Sequence, residues 1–331
     1  MLTHYDRPEA VQTIHSRARL WQRIILVLTL LLAVAALPQD PAAQTAKSAE
    51  AKSLNLGLIS EINKSAIEEH FREFIRYVAR RMSPGSENEA KVVIAPTPFE
   101  MAKLLEQRRV DFYMESPYPT YRINYVHGAG KTLLRRWKGG RAEYQSLVIT
   151  KRDGGIKQLS DLRGKTIVFE DPGSTSGYLL PKLFLSRNGF KLVEKRGYDP
   201  YASPNEITYF FAYSRRRLME SVLTKQAAAG TISDDDYASL DEKRKAEITV
   251  LSQSEKLPRH LLSVRSDLAP LMAGKLEEVL LSMHEDEDGR RILNKIDQTT
   301  KFDRLPGGEE ALRKRLLDSF FTPPDRKKNS R

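Results

Sequence analysis

Lys165-Thr166-Ile167-Val168-Phe169-Glu170-Asp171-Pro172-Gly173-Ser174-Thr175-Ser176-Gly177-Tyr178 begins as an apolar run, breaks at Pro172-Gly173 and reopens in small hydroxylated residues. Lys165–Phe169 reads as a strand, and the pattern after it predicts a helix from about Ser176 to Asn188, stopped at Gly189. At such a junction the first-turn amides have no intrahelical acceptor, and the helix dipole favours negative charge in front of them. Ser174, Thr175 and Ser176 add neutral side-chain donors, while Gly173 and Gly177 let the backbone come close to a ligand. A small tetrahedral oxyanion needs a cradle of this kind to leave water, with each charge-assisted bond contributing roughly 1.5–3 kcal/mol net. Helix capping is the alternative, since Ser and Thr are favoured N-caps anywhere. Capping needs one hydroxyl, and three in a row between two glycines exceed that need.

Upstream, Leu54, Leu56 and Leu58 alternate with Asn55 and Gly57, the period of a strand. Ile67, Phe71, Phe74, Ile75, Val78 and Met82 recur at spacings of three and four, one face of a helix that stops at Pro84-Gly85. A strand at Lys91–Ala95, a short helix carrying Met101, Leu104 and Leu105, and a strand at Val110–Met114 follow. The loop Glu115–Pro119 ends this unit. Such alternation predicts an α/β fold with a parallel sheet and right-handed crossovers. Ligands sit beyond the carboxyl ends of strands in these sheets, so loops 60–64, 96–99 and 115–120 should line one wall of a site.

The pattern restarts with a strand at Tyr144–Thr150 and a helical turn at Ile156–Leu162, then runs in strands and helices to about Leu251. A helical return carries Leu276, Val279, Leu280 and Met283 on one face. Two α/β units and a late return predict two lobes joined by two crossings, with a cleft between them. Residues 54–149 plus 258–321 form the first lobe in this reading, and residues 150–257 the second.

The 331 residues are 40% hydrophobic and 29% charged, a mix that can bury a core and is too apolar for a disordered chain. Cysteine is absent, which excludes disulfides, thiolate metal sites and cysteine nucleophiles. The 6 His show no metal-binding spacing, so neither metal nor cofactor is expected. No Ser–His–Asp order or paired-carboxylate context makes a case for an enzyme. Lys and Arg exceed Asp and Glu by 11, so the surface should attract anions. The basic residues are scattered and no nucleic-acid motif is present, so nucleic acid is not the expected partner.

Arg17, Arg19 and Arg23 precede an apolar run, Ile24–Leu37, followed by a Pro/Gln/Ala-rich stretch. These are the parts of a secretory signal, and residues 1–43 read as a signal peptide or an uncleaved inner-membrane anchor. Residues 322–331 form a basic tail.

The segment Asp161–Tyr178 resembles the signature of the phosphate, phosphite and phosphonate-binding proteins of ABC importers, where an Asp-Leu-x-Gly-Lys strand leads into Asp-Pro-x-Ser-Thr-Ser-Gly. Tyr144-Gln145-Ser146 and Val110-Asp111-Phe112 with Ser116-Pro117 resemble flanking parts of the same family, and the likeness covers roughly residues 54–300. It implies a two-lobed, type II periplasmic-binding-protein-like fold, with the ligand's phosphonate group held by Ser174, Thr175 and Ser176. It also implies an exported, monomeric protein that captures phosphate, phosphite or a phosphonate by hinge closure and hands it to an ABC permease. The alternative is a membrane-tethered periplasmic sensory or interaction module of the same fold without a permease.

Three further residues are candidates for the ligand site. Tyr118 either closes over a ligand or packs beside a Pro-rich turn. Ser60 ends the first strand as an anion donor or a plain N-cap, and Tyr213 sits beside Ser214-Arg215. The chain also departs from the family's pattern. Ala228 stands where the family has Asp, Arg215 where it has His, and Arg259-His260 where it has Asn-Asp. Losing an acid and gaining Arg argues against an amino-substituted ligand and for a simpler or more acidic one.

Overall fold

Phe71, Phe74, Ile75, Val78 and Met82 lie buried on one face of helix Lys64–Met82, the face predicted by their spacing. Phe74, Ile75 and Val78 are fully buried, and side chains of that size contribute roughly 1.5–3 kcal/mol each by leaving water. The helix gives way at Ser83, just before Gly85, whose φ of +90° suits a residue without Cβ. This computed structural model describes residues 54–195 and 203–321, which fall within one compact unit. The expected export segment 1–43 and the basic tail 322–331 lie outside the described residues. Among the described residues, no helix is long and apolar enough to cross a membrane.

In chain order the strands are β1 (Asn55–Ile59), β2 (Lys91–Ala95), β3 (Phe112–Glu115), β4 (Gly130–Lys138), β5 (Glu143–Tyr144), β6 (Ser146–Lys151), β7 (Thr166–Phe169), β8 (Lys191–Glu194), β9 (Glu206–Phe211), β10 (Ala229–Ser233), β11 (Ile248–Gln253), β12 (Leu257–Pro258), β13 (His260–Arg265) and β14 (Thr299–Arg304). They form two six-stranded sheets, ordered β14-β4-β13-β3-β1-β2 and β11-β6-β10-β7-β9-β8, and a two-stranded ribbon of β5 and β12.

The expected parallel sheet is mixed in both cases. In the first sheet β1 runs parallel to β2 and β3, because helices Lys64–Met82 and Pro98–Glu106 carry the chain back over the sheet between them. Strands β13, β4 and β14 enter by other routes and pair antiparallel. The second sheet is parallel through β10, β7, β9 and β8, with β6 and β11 antiparallel.

Two expectations about the crossing are corrected. The single strand expected at Tyr144–Thr150 is two. Tyr144 pairs with Leu257 in the ribbon, whereas Ser146–Lys151 pairs wholly within the second sheet, on both sides of the 149/150 division. Residues 115–119, expected as a loop, start the helix Pro117–Tyr121 with Pro at its first turn. A π-helical turn, Arg122–Val126, continues it. The late return is helical at Pro270–Ser282, Glu287–Lys295 and Gly308–Phe321, with β14 set between. Leu312, Leu316 and Phe320 of the last helix pack with Tyr144 and Leu257 of the ribbon.

Candidate functional site

The carboxyl ends of β1, β2 and β3 in one sheet and of β7 and β9 in the other face a cavity of about 700 Å³. Ser60–Ile62, Pro96–Phe99, Glu115, Ser116 and Tyr118 line one wall, which is the wall the alternation pattern indicated. Glu170–Ser176 and Tyr213 line the other. All six residues singled out from the sequence, Ser60, Tyr118, Ser174, Thr175, Ser176 and Tyr213, border this one cavity.

The junction after β7 begins with a π-helical turn, Thr175–Leu179, and continues as the α-helix Leu180–Arg187, with Gly189 at φ +79° just beyond it. Ser174 is the N-cap. Its Oγ accepts from the Gly177 amide at 2.9 Å and donates to Glu170 Oε2 at 2.8 Å. A Cβ on Gly177 would lie 2.5 Å from that carboxylate oxygen and 2.8 Å from Ser174 Oγ. This glycine therefore makes room for the cap itself, not for a ligand.

Thr175 is fully buried, and its Oγ1 accepts from the Tyr118 amide at 2.9 Å and donates to Ser116 Oγ at 3.0 Å. One hydroxyl thus joins the loop after β7 to the loop after β3, across the cavity from sheet to sheet. Ser176 is anchored through its carbonyl, which accepts from Ser146 Oγ at 2.6 Å. Its hydroxyl lies beside that of Tyr144, which is buried and has no hydrogen-bond partner among the described residues. The Ser174 and Thr175 side chains hold the junction together, while the Ser176 and Tyr144 hydroxyls and the Thr175 and Ser176 amides are the donors left to a ligand.

Ser60 serves neither helix nor cap. Its Oγ donates to the Ile62 carbonyl at 2.6 Å and accepts from the Ile62 amide at 3.3 Å, a local turn at the cavity edge, and Asn63 is the residue that precedes the helix. Tyr118 borders the cavity, where its amide meets Thr175 and its ring packs edge-on against Phe320 at 6.0 Å. Tyr213 stands at the rim, 45% exposed, with φ at +53° and its amide donating to the Glu170 carbonyl.

Several cavity residues escaped the sequence reading as site residues. Tyr144 and His260 border the cavity, as does Arg259, whose guanidinium sits over the Tyr144 ring at 4.6 Å. The Arg259-His260 pair had stood out only as a departure from a pattern. Two basic residues directly before the apolar strand start Leu261-Leu262 were the available signal, because a charge that close to a core strand must face something. Glu115 also borders the cavity, accepting from the Ile59 and Ser116 amides at 3.2 and 3.1 Å.

Burial raises the Glu115 carboxyl to about 7 and raises Glu170 and Asp171 as well. Burial likewise raises the Tyr144 hydroxyl to about 12, against the pull of Arg259 and of the Thr175 and Ser176 hydroxyls. His260 is held well below its ordinary value by burial, then by Arg136, Arg259 and Lys138, and so stays neutral.

The other departures fall elsewhere. Ala228 packs against the core of the second sheet and does not border the cavity, so an acid missing there says nothing about the ligand. Arg215 is half exposed and pairs with Asp236.

A family model described as the periplasmic substrate-binding protein of phosphonate ABC transporters matches residues 56–305. The phosphate-import protein PhnD of Mycolicibacterium smegmatis is 28% identical over 255 residues, covering 75% of this chain and 77% of that protein. Among solved structures, XAC2383 from Xanthomonas citri bound to ATP has a TM-score of 0.73 at 27% identity, covering 81% of this chain and 97% of that one. PhnD1 from Prochlorococcus marinus, in complex with methylphosphonate, has a TM-score of 0.62 at 13% identity, covering 82% of this chain and 99% of that one. The fold is therefore the two-lobed, type II periplasmic-binding one, with a sheet on either side of the cavity.

Proposed function

The chain belongs to the periplasmic substrate-binding proteins of phosphonate ABC transporters, and on that premise we propose that its cavity captures a phosphorus oxyanion and delivers it to a membrane permease. The family is one of transport, not of catalysis. The observation that carries the reading is the open helix start after β7. There the first-turn amides, the Ser176 hydroxyl and the unpartnered Tyr144 hydroxyl converge on one cavity wall. Neutral donors suit an anion that must shed water, because they bind its lone pairs without fixing a competing charge. The phosphate-import relative and the ATP-bound structure, at 28% and 27% identity, support the class, since phosphate and ATP both present phosphoryl oxygens.

In this reading the protein acts as a monomer whose lobes close on the ligand like a hinge, with residues 1–43 as the address that brings it to the periplasm. Lobe 1 comprises residues up to about 145 plus the chain from β13 onward, and lobe 2 the sheet between. Calorimetry of the protein with phosphate, phosphite, methylphosphonate and sulfate tests the proposal. The variant Ser176→Ala should weaken binding of the best ligand about tenfold, as loss of a charge-assisted bond requires. Unchanged affinity in that variant would refute it.

A further inference from the structure

We propose that Arg259, Tyr144 and His260 form a second anion subsite beside Ser176, and that the natural ligand is a phosphonate or phosphate ester carrying a second acidic group. This rests on the oxyanion reading above and narrows its ligand class.

Arg259 is 8% exposed. Its Nε lies 2.5 Å from Asp235, and neither that Nε nor the Asp235 carboxylate forms a hydrogen bond among the described residues. The Tyr144 hydroxyl and His260 Nδ1 are likewise buried without a partner, and both side chains border the cavity. Two unmet polar groups beside a buried guanidinium at a cavity wall are costly unless a ligand or water meets them. Tyr144 links the two subsites, with its ring under Arg259 and its hydroxyl beside Ser176.

Further basic residues stand behind this end of the cavity. Arg136 and Lys138 stand close enough to Arg259 that, after burial, its charge depresses the pKa of both. Their countercharges are Asp235, Asp236 and Asp297, and the Asp297 side chain is 49% exposed and 3.4 Å from Arg136. The partly buried acids that border the cavity have hydrogen-bond or ion-pair partners of their own. Glu115 and Asp171 accept backbone amides, Glu170 accepts from Ser174, and Asp236 pairs with Arg215. A second anionic group adjoining the first would meet the Arg259 guanidinium, the Tyr144 hydroxyl and His260 Nδ1 together. A phosphonate tail ending in carboxylate and one ending in a second phosphoryl group share that chemistry.

Calorimetry on the full-length protein at constant ionic strength, using methylphosphonate, phosphonoacetate and methylenediphosphonate, separates the cases. At least one two-headed probe should bind about tenfold or more tighter than methylphosphonate, the gain a new charge-assisted contact provides. Whichever probe binds tighter identifies the second group. The paired variant Arg259→Gln/Asp235→Asn, which leaves no lone buried carboxylate, should erase most of that preference, and Arg259→Lys should keep part of it. Equal affinity for all three probes in the unaltered protein overturns the second subsite while leaving the oxyanion reading intact, as does a preference that survives the paired variant. Failure of every phosphorus probe to bind overturns both readings.

Discussion

Replacing Thr175 by Val keeps the side chain's shape and removes its Oγ1, the atom that accepts from the Tyr118 amide at 2.9 Å and donates to Ser116 Oγ at 3.0 Å. The site is fully buried at Thr175, so in the joined state the Tyr118 amide loses its partner without gaining water. An unmet buried donor costs about 1–3 kcal/mol, a factor of roughly 5 to 150 in an equilibrium constant. That cost falls only on the conformation in which the loops after β3 and β7 touch, because in a separated state water satisfies both groups. Thr175→Val should therefore shift the unliganded protein toward separated walls and lower its affinity for phosphate or methylphosphonate, while Thr175→Ser, which retains the hydroxyl, should restore both. Small-angle scattering reads the first effect as a larger radius of gyration and calorimetry reads the second. If the valine variant scatters and binds like the unaltered protein, Thr175 does not hold the two walls together and the reasoning fails.

The Glu115 carboxyl, raised by burial from 4.5 to about 7, gives a pH-dependent prediction. Between those values the native protein holds a proton that the unfolded chain has released, so this group's contribution is full below about 4.5 and is lost as pH rises through about 7. The loss is at most about 3 kcal/mol at 1.36 kcal/mol per unit. Glu115→Gln should accordingly flatten the fall of the urea midpoint between pH 5 and 8, and parallel profiles for the two proteins would count against it. Gly177→Ala should destabilise by about 1–3 kcal/mol, because its Cβ would meet the Glu170 carboxylate and the Ser174 cap. A denaturation midpoint that does not move would show that the cap tolerates the methyl group.

The junction after β7 was legible because its signals are local. A β-branched run, a Pro-Gly break and hydroxyls at a helix start constrain their own neighbours, and Gly189 ends the following helix where the pattern placed it. The helix Lys64–Met82 was equally plain, since its apolar face repeats with the helical period. By contrast, Tyr144-Gln145-Ser146 reads as one extended run, yet Tyr144 and Ser146 pair in different sheets. Propensity cannot mark that break, because both sides are strand and only the partner differs.

Side-chain roles within the site were less legible than its location. Three adjacent hydroxyls look equivalent in sequence, but Ser174 faces Glu170, Thr175 faces Ser116 and Ser176 lies by Tyr144. Which of them remains available depends on residues about 30 to 60 positions away, reached through strand pairing.

The amino-acid sequence was enough to determine the α/β alternation and the end of the strands that borders the cavity, because each follows from contacts within a few residues. Folding in three dimensions alone decided that Arg259, His260 and Tyr144 share that cavity and that Ala228 does not. Such groups meet only through long-range pairing, whose register no short stretch encodes.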